Sequence, residues 1–329
     1  METKGFTLAN VEALIQGQAL DILWQRMCAL WTGEWWDTND SEVFERAFCQ
    51  REDALAELEF TVLQTSGTAY QALAEEIAAR RPLSEDLAEG RLVVIFDGLS
   101  VREGCFLWEQ LRREGYQVEM GYTFSNLPAE TTTFCQRHFG LNSAKALGGR
   151  EINGFPAAYA ADETHVAEEL PRAAGGLLWI GIPDPLMEGG KKGAKTILEP
   201  LEAWQRTWQA MTAVLEGAGG REIWVTSDHG YIYRGPTYTD RFWSLGNTAT
   251  GRRLRDLFGG GRYKADLKLD EDQATALRDY VWPDPGGGYA VKGRWLWPMS
   301  GQTGAILHEG LSLAECLVPL LRLKYREAK

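Results

Sequence analysis

The first part of the chain is patterned as helix. Residues 11–31 and 41–64 carry apolar side chains at intervals of three and four positions, which is the spacing of an amphipathic helix with one buried face. The polar segment 80–90, "RRPLSEDLAEG", contains proline and ends in glycine, as linkers often do. We therefore predict a helical N-terminal region over residues 1–88.

From residue 91 onward the pattern changes to short apolar runs separated by longer helical stretches. The runs are 91–96, 177–182 and 222–226. Short strands that alternate with helices are typical of a mostly parallel sheet with helices on both faces. We predict an α/β domain of this kind over residues 89–329.

Local signals add detail to this α/β pattern. Ser100 and Glu103 have the spacing of a capping box at the start of a helix, and Ser312 and Glu315 repeat that spacing near the C-terminus. The stretch 283–301 is rich in glycine and proline and predicts a hairpin near the functional site. Between the second and third runs, one apolar stripe predicts a helix packed on the sheet: Leu201, Trp204, Trp208, Met211 and Leu215.

The composition is that of an ordinary globular protein, with 329 residues of which 44% are hydrophobic and 24% charged. No apolar run reaches the ~18 residues needed to cross a bilayer, and the first residues lack the basic and then apolar layout of a signal peptide. We therefore expect a cytoplasmic protein without a membrane span. Its five cysteines are widely spaced and are expected to be reduced thiols.

Four tryptophans and two histidines of the chain lie outside any chemical motif. The tryptophans are expected in the core, with an exposed patch for a partner as the alternative: Trp24, Trp31, Trp35 and Trp36. His165 is expected at the surface, and His138 is expected to pack beside a helix.

The charge balance disfavours nonspecific binding to nucleic acid, because a net charge of −12 offers no general basic surface. One strip departs from this balance and holds six cations: Arg252, Arg253, Arg255, Arg262, Lys264 and Lys268. Arginine suits bidentate contact with phosphate, so the strip could clamp a substrate, although a solvated helix and loop fit equally well. The stretch 189–196 lacks one glycine of a P-loop, and a solvated turn is the favoured role of its Lys191 and Lys192.

Each of the three apolar runs is followed by an acidic residue. These residues are Asp97, Asp184 and Asp228, and His229 comes directly after the last of them. In an open α/β sheet, ligands bind beyond the carboxyl ends of the strands. Carboxylates collected at one edge repel one another unless a cation neutralises them. The pattern therefore predicts a divalent-metal site.

Four stretches together are similar to a known family: "VVIFDGLS", "LPAETTTF", "WVTSDHGYIY" and "LHEGLSLAECLVPLL". They resemble the PglZ domain of the alkaline phosphatase superfamily over about residues 90–326. The resemblance implies an alkaline-phosphatase-like fold and metal-assisted hydrolysis at phosphorus or sulfur. It also implies a setting in phage-defence systems of the BREX type or in bacterial response regulators. The sulfatase signature is missing, which favours phosphorus.

The resemblance implies two divalent-metal sites. Asp97, Asp228 and His229 would hold one ion, while Asp184 and His308 would hold the other.

One position departs from the family pattern. The family commonly has a histidine four residues after the aspartate that corresponds to Asp184, and here that position is Glu188. Glutamate binds divalent ions through oxygen, so the preference would move from zinc toward manganese or magnesium. The alternative is that the second metal binds weakly or is absent, which would leave a domain that binds a ligand without catalysing a reaction.

The family's nucleophile pattern of proline, small residue, any residue and threonine matches the stretch from Pro128 to Thr131. The resemblance therefore implies that Thr131 is the nucleophile, activated by a metal ion and by the amides at the start of a helix. Thr132 and Thr133 stay open as alternatives, and three successive threonines also fit a simple cap.

The sequence thus predicts a metal-dependent phosphoesterase. By resemblance it would be a phosphodiesterase that acts on an oligonucleotide or a cyclic nucleotide. "GGGRYK" is similar to a family element near the active site, so Arg262 and Lys264 are the predicted substrate ligands. The alternative is a catalytically weak or inactive PglZ-like scaffold subunit of a defence complex.

Overall fold

The structure is a computed structural model. It describes residues 19–324 apart from 39, 66, 189–199, 235–241 and 298–304.

Helices and strands alternate through most of the described chain. The helices are α1 (Ala19–Trp31), α2 (Ser41–Thr65), α3 (Gly67–Ala79), α4 (Val101–Arg113), α5 (Thr131–Phe139), α6 (Val166–Glu169), α7 (Asp184–Glu188), α8 (Pro200–Gly217), α9 (Ala249–Phe258), α10 (Glu271–Leu277) and α11 (Leu313–Cys316). The strands are β1 (Arg91–Asp97), β2 (Gln117–Phe124), β3 (Arg150–Ile152), β4 (Phe155–Ala160), β5 (Gly176–Pro183), β6 (Glu222–Ser227), β7 (Ile232–Tyr233), β8 (Tyr263–Lys264), β9 (Val281–Pro283), β10 (Tyr289–Val291), β11 (Ile306–Leu307) and β12 (Leu317–Lys324).

A seven-stranded sheet in the order β2-β12-β6-β1-β5-β4-β3 forms the centre of the molecule. Its strands β6, β1, β5 and β4 pair in parallel, whereas β12 and β3 pair antiparallel with their neighbours. Five strands therefore run in one direction. The three predicted apolar runs are the adjacent strands β5, β1 and β6, and every residue of β5 is buried because helices cover both faces of the sheet. The predicted mostly parallel α/β architecture is confirmed.

The first predicted capping box is confirmed and the second is only half present. The Ser100 and Glu103 side chains exchange hydrogen bonds with each other's backbone at the start of α4. Ser312 accepts from the Glu315 N–H at the start of α11. The Glu315 carboxylate, however, accepts from Arg262 and from the Gly310 N–H instead of closing a box.

The predicted helix between the second and third runs is α8. Its apolar stripe is rotated from the predicted one, because Trp208 and Leu215 are half-buried and the fully packed face is centred on Ala203, Trp204 and Met211. The predicted hairpin is also present, as β9 and β10, and the residues of its stretch from 298 onward lie outside the described chain.

The N-terminal helices belong to the same hydrophobic core as the sheet. Residues 11–18 of the first predicted helix lie outside the described chain, and the rest forms α1, while 41–64 falls within α2. The indole ring of Trp31 is fully buried and lies 6.5 Å from that of Trp204 on α8, and Trp35 lies 5.4 Å from the same ring. Trp24 and Trp36 are buried as well, so the four tryptophans pack the core as expected.

Buried ion pairs join α2 to the rest of the chain. The Glu52 carboxylate accepts two hydrogen bonds from Arg102, at 2.6 and 2.7 Å, and a third from Arg294. All three side chains are fully buried. Arg102 also donates to the carbonyl oxygen of Tyr231, two residues beyond His229. The helix therefore supports the loop that follows β6.

The five cysteines are free thiols, as expected. Among the described residues, no helix combines the length and the apolar character needed to span a bilayer.

Candidate functional site

The sheet order brings the three predicted carboxylates to one edge. Asp97 ends β1, Asp184 begins α7 directly after β5, and Asp228 follows β6. Because β1 lies between β5 and β6, the three strand ends are neighbours. Their carboxyl ends point the same way, since both pairings are parallel.

A small separate sheet brings in His308. This residue follows β11, which pairs antiparallel with β7, the strand just after His229. The imidazole rings of His229 and His308 stack with centroids 4.4 Å apart. A residue distant in sequence is thereby placed against the Asp228–His229 pair.

The candidate ligand atoms form two compact groups that share one histidine. Asp97, Asp228 and His229 form one group, and Asp184, His229 and His308 form the other. Within each group the ligand atoms all lie within 4.8 Å of one another. The family resemblance assigned His229 to the first ion alone, whereas in space its ring belongs to both groups.

Backbone carbonyls fix the orientation of both imidazoles. His229 Nδ1 lies 3.0 Å from the Gly230 oxygen, and His308 Nδ1 lies 3.1 Å from the Ala129 oxygen. A carbonyl oxygen can only accept, so each Nδ1 carries a proton and donates. In the neutral rings, Nε2 then presents a lone pair, which is the usual arrangement of a metal-binding histidine.

The pocket gathers groups that accept rather than donate. His229 Nε2 lies 3.7 Å from Asp97 Oδ1 and 3.6 Å from Asp228 Oδ2. Burial and the charges of Asp228 and Asp184 raise the pKa of Asp97 well above its usual range. Carboxylate oxygens and imidazole nitrogens held this close fit a divalent cation, which would relieve their mutual repulsion.

Thr131 is the threonine that faces this cluster. It is the first residue of α5, and its hydroxyl lies 2.6 Å from Asp228 Oδ2 and 3.3 Å from Asp97 Oδ1. Thr132 is exposed, and the Thr133 hydroxyl donates to Glu130 at the same helix start. Of the three threonines left open by the sequence, the geometry therefore favours Thr131.

Ser227 and Gly98 support the cluster and were not among the predicted site residues. Ser227 Oγ accepts from the Leu99 N–H at 2.8 Å and lies 2.9 Å from the Phe96 carbonyl oxygen, which ties β6 to β1. The Gly98 N–H donates to Asp228 Oδ1 at 3.0 Å and holds that carboxylate. Ser227 lies directly before Asp228 in the stretch "WVTSDHGYIY", so its closeness to the predicted ligands could have drawn attention to it.

Arg262, one of the predicted substrate ligands, is buried and bonded to other groups of the protein. Its side chain is 2% exposed, and its guanidinium donates to both carboxylate oxygens of Glu315 and to the carbonyls of Gly293 and Trp295. All three guanidinium nitrogens are thus engaged by the protein. Lys264, the other predicted substrate ligand, lies exposed on β8.

Two further predictions concern the segment after Asp184. Glu188 is the last residue of α7, and its side chain lies outside the described part of the structure. The P-loop-like stretch 189–196, with Lys191 and Lys192, lies outside the described residues altogether.

Gly98 is placed so that substitution should disturb the cluster. It has φ +74°, and an added Cβ would lie 2.7 Å from Asp184 Cβ. We expect Gly98→Ala to displace Asp184 and to weaken divalent-metal affinity by about tenfold or more, measured by titration of metal-free protein. Gly90→Ala is the matched control, because Gly90 has φ +76° at the other end of β1 and an open environment for a Cβ. Equal metal affinity in both variants would contradict this prediction.

His138 is a buried neutral base on α5. The Leu83 N–H donates to its Nδ1 at 2.9 Å, and its Nε2 lies 3.2 Å from Asn126 Oδ1. Burial and the charges of Arg80 and Arg137 lower the pKa of His138 to about 2. The unfolded chain binds this proton below about pH 6.5, so stability is present above that pH and is lost as the pH falls.

The expected loss from His138 is about 2 kcal/mol between pH 6.5 and pH 5, at about 1.4 kcal/mol per unit. His138→Gln should remove this part of the pH dependence of the unfolding free energy, measured with urea at both pH values. The exposed His165, which pairs with Asp162, provides the control: His165→Gln should keep the wild-type loss. An unchanged slope in His138→Gln would show that the ring titrates normally in the folded state.

Comparisons with known proteins give structural similarities at low identity. A scan against protein-family models finds no match, and a search of the curated proteins finds none either. Murine ectonucleotide pyrophosphatase/phosphodiesterase 5 is similar over 71% of this chain and 88% of its own, with 11% identity and a TM-score of 0.38. The human protein of the same name gives 12% identity and a TM-score of 0.39, over 71% of this chain and 87% of its own. Phosphonoacetate hydrolase from Sinorhizobium meliloti gives 12% identity and a TM-score of 0.29, over 70% of this chain and 65% of its own. At these scores none of the similarities assigns a family or an activity to the chain.

Proposed function

We propose that this protein is a metal-dependent phosphoesterase with Thr131 as its nucleophile. The observation that carries the proposal is the position of the Thr131 hydroxyl, 2.6 Å from Asp228 Oδ2 and beside both groups of buried ligand atoms. A serine or threonine at a helix start, next to metal-ligand side chains, is an arrangement suited to attack on an anionic phosphorus centre.

The metal ligands in this proposal are those of the two compact groups. Asp97 and Asp228 belong to one ion and Asp184 and His308 to the other, with His229 beside both. Divalent ions bound there would supply Lewis-acid stabilisation of the phosphate charge and would lower the pKa of the attacking hydroxyl. The donor set of three carboxylates and two imidazoles is compatible with zinc, manganese or magnesium.

The chain's own residues would orient the reaction. The hydroxyl of Thr131 donates toward Asp228, which leaves its lone pairs free to attack phosphorus and gives its proton an acceptor. The bond from phosphorus to the leaving oxygen breaks as the bond to Oγ1 forms, and the leaving alkoxide takes up a proton from solvent. The first amides of α5 face the developing charge with their N–H groups. Water then hydrolyses the threonyl phosphodiester so formed, which releases the phosphomonoester and restores the protonated hydroxyl of Thr131.

A phosphodiester such as an oligonucleotide or a cyclic nucleotide is the proposed substrate class. The support is the motif resemblance to PglZ domains, and the same resemblance supports a setting in phage defence. Arg262 is not part of this proposal, because its guanidinium is engaged within the protein.

Hydrolysis of bis-p-nitrophenyl phosphate tests the proposal. The purified chain is stripped with chelator and assayed with zinc, manganese and magnesium added in turn, alongside p-nitrophenyl phosphate as the monoester. Metal-dependent release of nitrophenol, faster from the diester, is the expected result. Metal binding without hydrolysis of either compound would favour the catalytically inactive scaffold instead.

A further inference from the structure

A cleft with a basic lining lies at the end of the sheet opposite the candidate metal residues. It is a cavity of about 370 Å³ lined by residues of α4, β2 and β12, among them Arg112, Arg322 and Lys324. Lys324 pairs with Gln117 at the first residue of β2, and Leu323 pairs with Ile223 near the start of β6. We call this cavity the basic cleft.

The basic cleft is remote from the metal residues. From Ile223 to Asp228 the chain runs five residues along β6, which at about 3.3 Å per residue is roughly 17 Å. A ligand of nucleotide size cannot span that distance through the body of the sheet. Any ligand of the basic cleft therefore binds independently of the candidate active site.

Tryptophan rings orient both guanidinium groups of the basic cleft. The Arg112 guanidinium carbon lies 4.6 Å from the Trp108 ring centroid, and that of Arg322 lies 4.5 Å from the Trp224 centroid. Stacking on an indole restrains the plane of a guanidinium while its N–H groups stay available at the edge. These arginines are therefore partly preorganised to bind a planar or tetrahedral anion.

The cations of the basic cleft are not neutralised by ion pairs within the described chain. Neither Arg112 nor Arg322 nor Lys324 forms an ion pair there, whereas Glu222 nearby is paired with Arg91. Glu119 is the acidic residue of the lining, so the three cations leave a net charge of +2. Such a local excess is distinctive in a chain whose net charge is −12.

We propose that the basic cleft binds a phosphate-bearing small molecule of nucleotide size. The two arginines and Lys324 suit a phosphate group, because guanidinium forks match its oxygens. The half-buried Tyr116 and Val118 provide an apolar wall beside the cations, on which a planar ring can pack. The volume lies within the range of small-molecule sites, about 300–1,000 Å³.

Calorimetric titration of the chelator-treated 329-residue chain tests the proposal with three probes. AMP carries both ring and phosphate, inorganic phosphate carries the charge alone, and adenosine carries the ring alone. AMP should bind more tightly than either of the other two, and its affinity should fall as salt is raised. Binding of adenosine as tight as that of AMP would overturn the proposal, and so would the absence of AMP binding at millimolar concentration.

Variants then locate the binding. Arg112→Gln and Arg322→Gln should each weaken AMP binding by about tenfold, because each removes a charged hydrogen-bond donor. Arg113→Gln is the matched control, since Arg113 is the sequence neighbour of Arg112 but pairs with Asp37 at 3.3 Å. Because these positions are exposed, the variants should fold normally, and circular dichroism is the check. Loss of binding in Asp228→Asn, with binding retained in Arg112→Gln and Arg322→Gln, would place the ligand in the candidate metal site and overturn the proposal.

Discussion

Replacing Thr131 by alanine is expected to lower metal-dependent hydrolysis of bis-p-nitrophenyl phosphate by at least about 1,000-fold, because it removes the attacking oxygen. The Thr131 hydroxyl is the one that lies 2.6 Å from Asp228 and 3.3 Å from Asp97. Thr131→Ser keeps an oxygen in this place and should retain measurable activity. The measurement is the initial rate at saturating metal.

Two controls separate chemistry from structure in this prediction. Thr132→Ala changes the exposed neighbour at the same helix start and should leave the rate within about twofold of wild type. Metal content of Thr131→Ala, measured by plasma emission spectrometry, should stay the same as in the wild type, because the carboxylates and imidazoles are untouched. A Thr131→Ala protein that binds metal and hydrolyses the diester at the wild-type rate would rule out Thr131 as the nucleophile.

Replacing Glu52 by glutamine is expected to lower the free energy of unfolding by about 3–5 kcal/mol, because it leaves two buried arginines without their charge partner. Burial acts to raise the pKa of Glu52, but the charges and hydrogen bonds of Arg102 and Arg294 outweigh it and hold this pKa below its usual value. Glu52 is therefore ionised at neutral pH. The measurement is urea unfolding at pH 7 followed by circular dichroism.

Glu59→Gln is the matched control, since Glu59 is equally buried on the same helix. Burial raises the pKa of Glu59 to about 7, so much of it is already neutral at that pH. Its Oε2 accepts from the Leu313 N–H at 2.9 Å, and a glutamine oxygen can do the same. We expect a loss of about 1 kcal/mol or less. Equal losses in the two variants would mean that the Glu52 ion pairs do not stabilise the fold.

The buried glutamates of α2 also connect the N-terminal helices to the loops around the candidate site. Glu52 reaches Arg102, and Arg102 reaches the Tyr231 carbonyl just after His229. Glu59 reaches Leu313, five residues beyond His308. We expect the loss of either contact to weaken the positioning of the loops that carry the candidate ligands, although no described residue of the N-terminal helices belongs to either ligand group. Metal affinity of Glu59→Ala, which removes the acceptor of the Leu313 N–H, is the direct measure of this coupling.

The strands and the residues at their ends follow from the sequence pattern. Strands β1, β5 and β6 are continuous apolar runs because both faces of a central strand are buried. Each buried position of such a strand favours an apolar residue, so the strand can be recognised from the sequence alone. The capping box of Ser100 and Glu103 is equally local, since its partners are three residues apart. For the same reason the sequence pattern assigns Asp97, Asp184 and Asp228 to one edge of the sheet.

The tertiary structure decided how the distant groups meet. The pairing of β11 with β7 sets His308 against His229, and the Glu315 carboxylate turns to Arg262 rather than to its own helix start. Arg262 lies in a glycine-rich segment, and its local sequence would look the same whether its side chain faced solvent, a substrate or a buried carboxylate. The partner of Arg262 is Glu315, 53 positions away in the sequence. Whether the two side chains pair depends on the free energy of desolvating them in the assembled fold, which no local spacing encodes.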